Sequence, residues 1–487
     1  MHWIIRYAMS FGAMALLLLA AEVTRRRLGI TAVFTRKVIH TAMGLLILLS
    51  PVIFQAKYPV LLVAVMLFLV DLFVVRFSQR FEREYRTYGI LYYPAVLFLL
   101  ILICWDNHIH VLMGAVCVMS FGDGFSALVG TAVGKHEFSV TGDRKTLEGS
   151  VAMYLASAVS LSITLGLFTG NVTLSVAAAL LVPIVAAVVE AASSKGLDNV
   201  TVPLVSAALI YYLFSRADSS ALWLAVSIPV AAVFSLIAFA LGALTGAGAV
   251  AAFVIGTLVF AIGKLNAAMA LVTFFATSSL LSRIGRARKA RARGLSDKGS
   301  RRDLVQAFAN GGVALSLLLA SMFNPCWWAY MFFLAALASA TADTWATEIG
   351  TLSRSQPVSL RDFSRVPCGT SGAVSLPGTA AAVAGSCAIG IFAGFYRTEV
   401  GFNGFAFAAV ALSGFLGSLV DSLLGATVQA QYARSGGGPF TEVRAEGSRL
   451  ARGKSWIGND LVNFMSTAFA AVVCFLLFLV LGPSFCQ

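Results

Sequence analysis

The stretch Ile109–Gly134 reads IHVLMGAVCVMSFGDGFSALVGTAVG. It opens as an apolar run, then places one aspartate, Asp123, between two glycines, with Gly130 and Gly134 following. An acid at the edge of a segment this apolar is costly and marks function by default. The rest of the chain says what medium the segment sits in. Of 487 residues, 59% are hydrophobic and 12% charged, and the mean hydropathy is +0.86. A soluble domain carries about 25% charged residues. Apolar runs of about 17–25 residues recur from end to end, each long enough to cross a bilayer. The expected fold is therefore all-α: a polytopic integral membrane protein with about sixteen transmembrane helices in two weakly related halves.

The first run, Ala8–Ala20, is followed rather than preceded by a basic cluster, Arg25, Arg26 and Arg27. That order reads as a first span at 3–22 with the N-terminus outside, not as a cleaved signal peptide. The seven cysteines form no CxxC and share no spacing with histidines, so they read as small apolar residues. Alternating the spans from an outside N-terminus puts loops 23–37, 76–88, 133–148, 191–199, 283–304, 347–371 and 429–458 inside. Those loops hold 30 of the 35 Lys and Arg. Such a positive-inside bias accounts for the net charge of +13 without invoking nucleic acid. The densest run, RIGRARKARARG (283–294), faces anionic lipid heads or substrate phosphates, or is purely topogenic. The expected setting is a bacterial cytoplasmic membrane, with every polar motif on the cytoplasmic face.

The chain divides into halves at 1–216 and 217–487, and one pattern runs through both. In the first half Asp123 precedes Ser126, Gly130 and Gly134; RKTLEGS (144–150), Glu190 and LDNVTVPL (197–204) follow. In the second half Asp343 precedes Ala346 and Gly350; CGTSGAVS (368–375), Asp421 and GNDLVNF (458–464) follow. Aligning Thr146 with Thr370 gives intervals of 23 and 27 residues from the aspartate. The pattern reads as an internal duplication of the parallel kind.

The parts fit phosphoryl transfer, in which catalysis is mostly positioning and cations. Asp123 reads as a Mg²⁺ ligand and catalytic residue, with Glu190 and Asp198 as further oxygen ligands. Gly122, Gly124, Gly130 and Gly134 read as a glycine-rich turn presenting backbone N–H groups to phosphate. Arg144, Lys145, Thr146, Glu148 and Gly149 stand just beyond, Lys145 as the catalytic cation. The competing structural reading makes the glycines helix-packing positions and Asp123 a helix cap. His40, in RKVIHTAMG (36–44), is either a base for a substrate hydroxyl or a hydrogen-bonded packing residue. In the second half Asp343, Glu348, Asp421 and Asp460 read as metal ligands, with Asp343 and Asp421 catalytic. Asn310, Gly369, Thr370, Ser371 and Gly372 read as nucleotide contacts, with Arg361 and Arg365 as nearby cations. No Walker A and no protein-kinase signature set occurs.

The first-half motifs RKVIHTAMG, GDGFSALVGTAVG, KTLEGS and LDNVTVPL resemble the polyprenol kinase group that includes dolichol kinase and phytol kinase. The second-half motifs QAFANGG, ADTWATEIGTLS, VPCGTSGAVSLPGT, GSLVDSLLGATVQ and GNDLVNF are similar to the membrane family that includes plant phytyl-phosphate kinase. Cys368 stands where that family has proline, and QPVSLRDF departs from its basic, threonine-rich loop. The resemblance implies a fused pair of kinases. The first would convert a long-chain isoprenoid alcohol to its monophosphate, and the second the monophosphate to the diphosphate. The donor implied is a nucleoside triphosphate, typically CTP, with Mg²⁺. Two rival readings stand beside it: a cytidylyltransferase forming a CDP-lipid, and a membrane transporter or scramblase.

Overall fold

The computed structural model describes residues 32–77, 89–216, 219–285, 301–323, 327–396, 401–433, 440–442, 444 and 448–481, with isolated positions between 12 and 27. The span expected at 3–22, most of loop 76–88 and residues 286–294 of the basic run lie outside the described residues.

The described chain is helical almost throughout, as hydrocarbon demands when every backbone polar group must be satisfied within the segment. It is a multi-pass integral membrane protein. Nine helices among the described residues are long and apolar enough to cross a bilayer, fewer than the sixteen spans expected. Contacts divide it into two compact units, Met1–Ala225 and Val226–Gln487.

The first unit contains α1 (Ala32–Leu48), the short α2 (Ser50–Ile53), α3 (Lys57–Phe77), α4 (Gly89–Cys104) and α5 (Ile109–Cys117). A π-helical turn, Val118–Asp123, joins α5 to α6 (Gly124–Val133). Strands β1 (Glu137–Phe138) and β2 (Lys145–Thr146) make an antiparallel hairpin, and α7 (Leu147–Thr169), α8 (Val172–Ala192) and α9 (Asp198–Ser215) follow. The opening stretch is thus one continuous helix, not a glycine-rich turn. Its N–H groups are engaged in helical hydrogen bonding, so Gly122, Gly124 and Gly130 do not offer them to phosphate. Asp123 neither caps a helix nor sits at its edge: its backbone is αR, its side chain makes no cap, and ten helical residues follow. The glycines instead let neighbours approach. A Cβ on Gly122 would meet Ser157 Oγ at 2.2 Å, one on Gly124 would meet Thr41 Oγ1 at 2.2 Å, and one on Gly130 would meet Thr146 Oγ1 at 2.8 Å. Small residues at helix crossings are how membrane helices pack without a hydrophobic driving force.

The second unit takes most of α10 (Ser220–Ala240), then α11 (Gly246–Arg283), α12 (Leu304–Phe323) and α13 (Trp327–Gly350). A straight α11 of 38 residues would run about 57 Å, but Lys264 (φ 55, ψ −156) breaks it into two helices. Strands β3 (Val358–Ser359) and β4 (Ala373–Val374) form a second antiparallel hairpin. Helices α14 (Leu376–Gly394) and α15 (Gly404–Thr427), a third hairpin of β5 (Gln431–Ala433) and β6 (Arg449–Arg452), and α16 (Asn459–Leu481) complete it.

The two units share a core: a long helix bearing an aspartate, a hairpin, then three helices. Their local geometry sharpens the sequence alignment. In the first unit Thr146 caps α7 by accepting from Gly149 N at 3.1 Å, and a Cβ on Gly149 would meet Ser126 O at 2.8 Å. In the second unit Ser375 caps α14 by accepting from Gly378 N at 3.3 Å, and a Cβ on Gly378 would meet Ala346 O at 3.0 Å. Asn171 and Asn403 likewise cap α8 and α15. The counterpart of Thr146 is therefore Ser375, not Thr370; the second hairpin is longer, and Thr370 lies within it.

Candidate active sites

The π-turn organises the first site. A π-turn carries one residue more than α geometry would hold, and such turns occur frequently at functional sites. Here α1 docks against it: Thr41 Oγ1 donates to Ser120 O at 2.9 Å and to Lys37 O at 3.0 Å. Lys37 lies one turn earlier on the same helical face and places its Nζ 2.5 Å from Asp123 Oδ2. Sequence reasoning passed over Lys37. Its signal was the spacing Lys37–His40–Thr41 in the RKVIHTAMG motif.

Glu190 ends α8, and a tight turn returns the chain to Asp198 at the start of α9. That turn needs left-handed backbone at Lys195 (φ 54) and Gly196 (φ 81). Gly196 also packs on Gly89, where a Cβ would lie 2.4 Å from the Gly89 Cα. Asn199 Nδ2 holds the turn by donating to Gly89 O at 3.1 Å. As a result Asp123, Glu190 and Asp198 each present an oxygen, all within 4.8 Å of one another. Asp123 and Glu190 are buried, at 2% and 3% exposure. Glu190 Oε1 accepts from Lys145 Nζ, while its Oε2 is buried without a hydrogen-bond partner. Burial pulls the Lys145 ammonium down, and the Glu190 carboxylate more than offsets this, so its pKa lies above the ordinary lysine value.

Three carboxylates against two ammonium groups leave a negative charge in excess, and one buried oxygen is unused. This donor set fits a hard divalent cation that prefers oxygen ligands. A cavity of ≈ 1030 Å³ opens onto these residues. One part of its wall is polar, with Arg144, Thr146 and Asn199; another is apolar, with Ile39, Met43, Ile47, Leu67, Val70 and Pro94. His40, Gly130, Gly134 and Gly149 also line it, with His40 packed 4.9 Å from the Tyr93 ring. Asp71 of α3 faces the same cavity and was not foreseen. Glu148, an expected nucleotide contact, does not line the cavity and accepts from His136, its Oε1 lying 2.7 Å from Nδ1, while Arg144 reaches Glu137 on the same wall at 3.4 Å.

The second site is smaller and assembled differently. A cavity of ≈ 320 Å³ is lined by Asp343, Glu348, Asp421, Asn310 and Gly369–Gly372. Asp343 and Asp421 lie within hydrogen-bonding reach of each other, and Ser466 Oγ donates to Asp421 Oδ2 at 2.9 Å. Glu442, which sequence reasoning missed, lines the same cavity and acts on both through its charge. Glu348 accepts from Ser282 Oγ at 2.6 Å. Asp460 does not line the cavity; Asn459 and Asn463, four apart on one face of α16, do. Among the described residues the four expected ligands Asp343, Glu348, Asp421 and Asp460 form no three-carboxylate group like that of the first unit. Arg361 and Arg365 do not line the cavity either. The cation that does is Arg302.

These features define the class: a multi-pass membrane protein with acid-bearing cavities in each of two units. Residues 229–471 match the family described as integral membrane protein DUF92, and the chain belongs to that family. It is 30% identical over 204 residues to Protein PGR of Arabidopsis thaliana, covering 37% of this chain and 70% of that protein. It is 40% identical over 96 residues to the phytol kinase of Synechocystis sp., but that alignment spans 20% of this chain and 41% of that protein. It is 28% identical over 229 residues to a probable chloroplastic phytol kinase of Triticum aestivum, covering 42% of this chain and 75% of that protein. No solved structure matches.

Proposed function

We propose that the chain is a membrane prenol kinase with two phosphotransferase sites. The first unit converts a long-chain isoprenoid alcohol to its monophosphate, and the second converts the monophosphate to the diphosphate. The observation that carries the reading is the first site: three carboxylates and two lysines on a cavity that also has an apolar wall. Similarity to phytol kinases supports the substrate class. CTP is the donor the sequence resemblance implies.

Asp123, Glu190 and Asp198 would hold Mg²⁺, which supplies charge neutralisation at the phosphates of the donor. Lys37 and Lys145 compensate the carboxylates until the donor arrives, then turn to its phosphate oxygens. Once on the phosphate, these cations need no further reorganisation as charge develops in the transition state. The alcohol chain lies along the Ile39–Ile47 and Leu67–Val70 wall, which fixes its hydroxyl by binding energy remote from the reaction. His40 takes the hydroxyl proton. The alcohol oxygen bonds to the γ-phosphorus as the bond to the nucleoside diphosphate breaks. In the second unit Asp343, Asp421 and Glu442 provide the acid set, and the nucleophile is a monophosphate oxygen.

The test is purified protein in nanodiscs with labelled phytol, Mg²⁺ and each nucleoside triphosphate in turn, with lipid products resolved. Phytyl monophosphate followed by diphosphate supports the proposal. A CDP-lipid moves the reading to nucleotidyl transfer, and lipid movement without nucleotide turnover moves it to transport.

A further inference from the structure

Arg302 is set between two cavities of the second unit. On one side is the acid-lined site with Asp343 and Asp421; on the other is a narrow apolar slot of ≈ 130 Å³. Arg302, Gln306 and Asn310 line both. The spacing explains this: Gln306 and Asn310 are one turn apart on α12, and Arg302 leads into the same face one turn earlier. The slot beyond is made of Phe234, Ile255, Gly256, Phe260, Leu271 and Phe275.

The arginine is held rigidly. Its backbone is fixed by Arg302 N donating to Ala243 O at 3.0 Å and Thr245 N donating to Arg302 O at 3.0 Å. Its guanidinium packs 5.2 Å from the Phe274 and Phe275 ring centroids. Its Nη1 is buried without a hydrogen-bond partner among the described residues. Burial pulls its pKa down to about 10, with the charge of Glu348 acting the other way; it is still a cation at neutral pH. A guanidinium whose buried Nη1 is an unused donor is a planar fork suited to phosphate oxygens. Among the described residues, the first unit's cavity is lined by lysines and the exposed Arg144 but by no arginine with a buried, unpartnered nitrogen, which fits a neutral hydroxyl substrate there.

We propose that Arg302, assisted by Gln306 and Asn310, recognises the lipid substrate of the second site, an amphiphile already bearing a phosphate monoester, whose apolar chain enters the Phe234–Phe275 slot. This rests on the phosphotransferase reading of the second unit. The phosphate is held at the boundary, with one face on the arginine and the other toward the acid-lined cavity where the donor binds. An unphosphorylated alcohol leaves the arginine unpaired and is rejected, because a site built for a polar group discriminates against the analogue lacking it.

The experiment uses the full chain in nanodiscs, supplied with labelled prenyl monophosphate, and compares wild type with Arg302→Gln and Arg302→Lys. Equilibrium binding of the monophosphate is measured beside turnover. Arg302→Gln is expected to raise both KM and Kd for the monophosphate at least tenfold, with the KM for the nucleotide unchanged. Arg302→Lys keeps the charge and is expected to recover part of the loss. The alcohol-to-monophosphate step in the same preparation reports that the protein is folded. Gly256→Ala, whose added Cβ would lie 3.3 Å from the Ala231 Cβ on the slot wall, narrows the slot and is expected to weaken long-chain monophosphates more than short ones. Unchanged monophosphate binding in Arg302→Gln overturns the proposal, as does a rise confined to the nucleotide KM. If wild type binds the monophosphate through Arg302 yet makes no diphosphate, the kinase reading of this unit fails and the binding assignment stands.

Discussion

Asp123 carries more of the first site than any other side chain, because it meets both the other carboxylates and Lys37. Asp123→Asn keeps the shape and removes one anionic ligand. It is expected to raise the Mg²⁺ concentration for half-maximal alcohol phosphorylation at least tenfold, read from a metal titration of initial rates. Lys145 sets the alkaline behaviour. Its pKa in the folded protein is raised, so the Lys145–Glu190 pair contributes fully below the ordinary lysine value of 10.5 and is lost as pH rises through the higher folded value. No loss of stability from this pair is expected between pH 7 and 9, the upper end lying about a unit and a half below that value, and thermal unfolding of the metal-free protein across that window checks this. A lysine-type loss inside that window contradicts the assignment. The acids of this site were legible in sequence because a carboxylate in an apolar run is costly and has few bland explanations. Lys37 and Arg302 were not. Each sits where a basic residue is expected on topogenic grounds, and the Lys37 partner lies 86 positions away.

At the scale of elements, two devices hold the acids in place, and neither was visible in hydropathy. The first is the π-turn Val118–Asp123, whose Ser120 O accepts from Thr41. Deleting Met119 would remove the extra residue and restore plain α geometry, and with it the local backbone that presents Ser120 O to Thr41 and carries Asp123 opposite Lys37 would be lost. The expected result is loss of alcohol phosphorylation with membrane insertion and monophosphate phosphorylation retained, checked by membrane extraction and by feeding each substrate separately. The second device is the capped entry to α7. Thr146→Ala removes the acceptor for Gly149 N and is expected to cost about 1 kcal/mol, whereas Thr146→Ser keeps it; thermal unfolding in detergent separates them. The opening stretch was read as a turn because glycines at 122, 124, 130 and 134 are turn residues in water. In a membrane helix the same residues are contact positions, and that medium decided between the two.

At the scale of the molecule, both units carry one local plan with unlike chemistry. The capped hairpin entry recurs as Thr146–Gly149 and Ser375–Gly378, and the late-helix acid recurs as Glu190 and Asp421. The aspartate-to-cap interval could not be aligned from sequence, because the second hairpin is longer and holds a decoy threonine, Thr370. The donor sets differ more than the scaffold does. The first unit gathers three carboxylates with lysines beside an apolar wall; the second pairs two aspartates with Glu442, three asparagines and an arginine whose Nη1 is buried. Two sites of unlike charge built on one plan are expected to take unlike substrates, and a crossed feeding experiment tests this. Asp123→Ala should abolish use of the alcohol while leaving diphosphate formation from supplied monophosphate within about twofold of wild type. Asp343→Ala should do the reverse, so that alcohol is consumed and monophosphate accumulates. Loss of both steps in either variant would mean that the units share one catalytic centre. In that case the second acid set would serve structure, and its arginine would have no phosphate to meet.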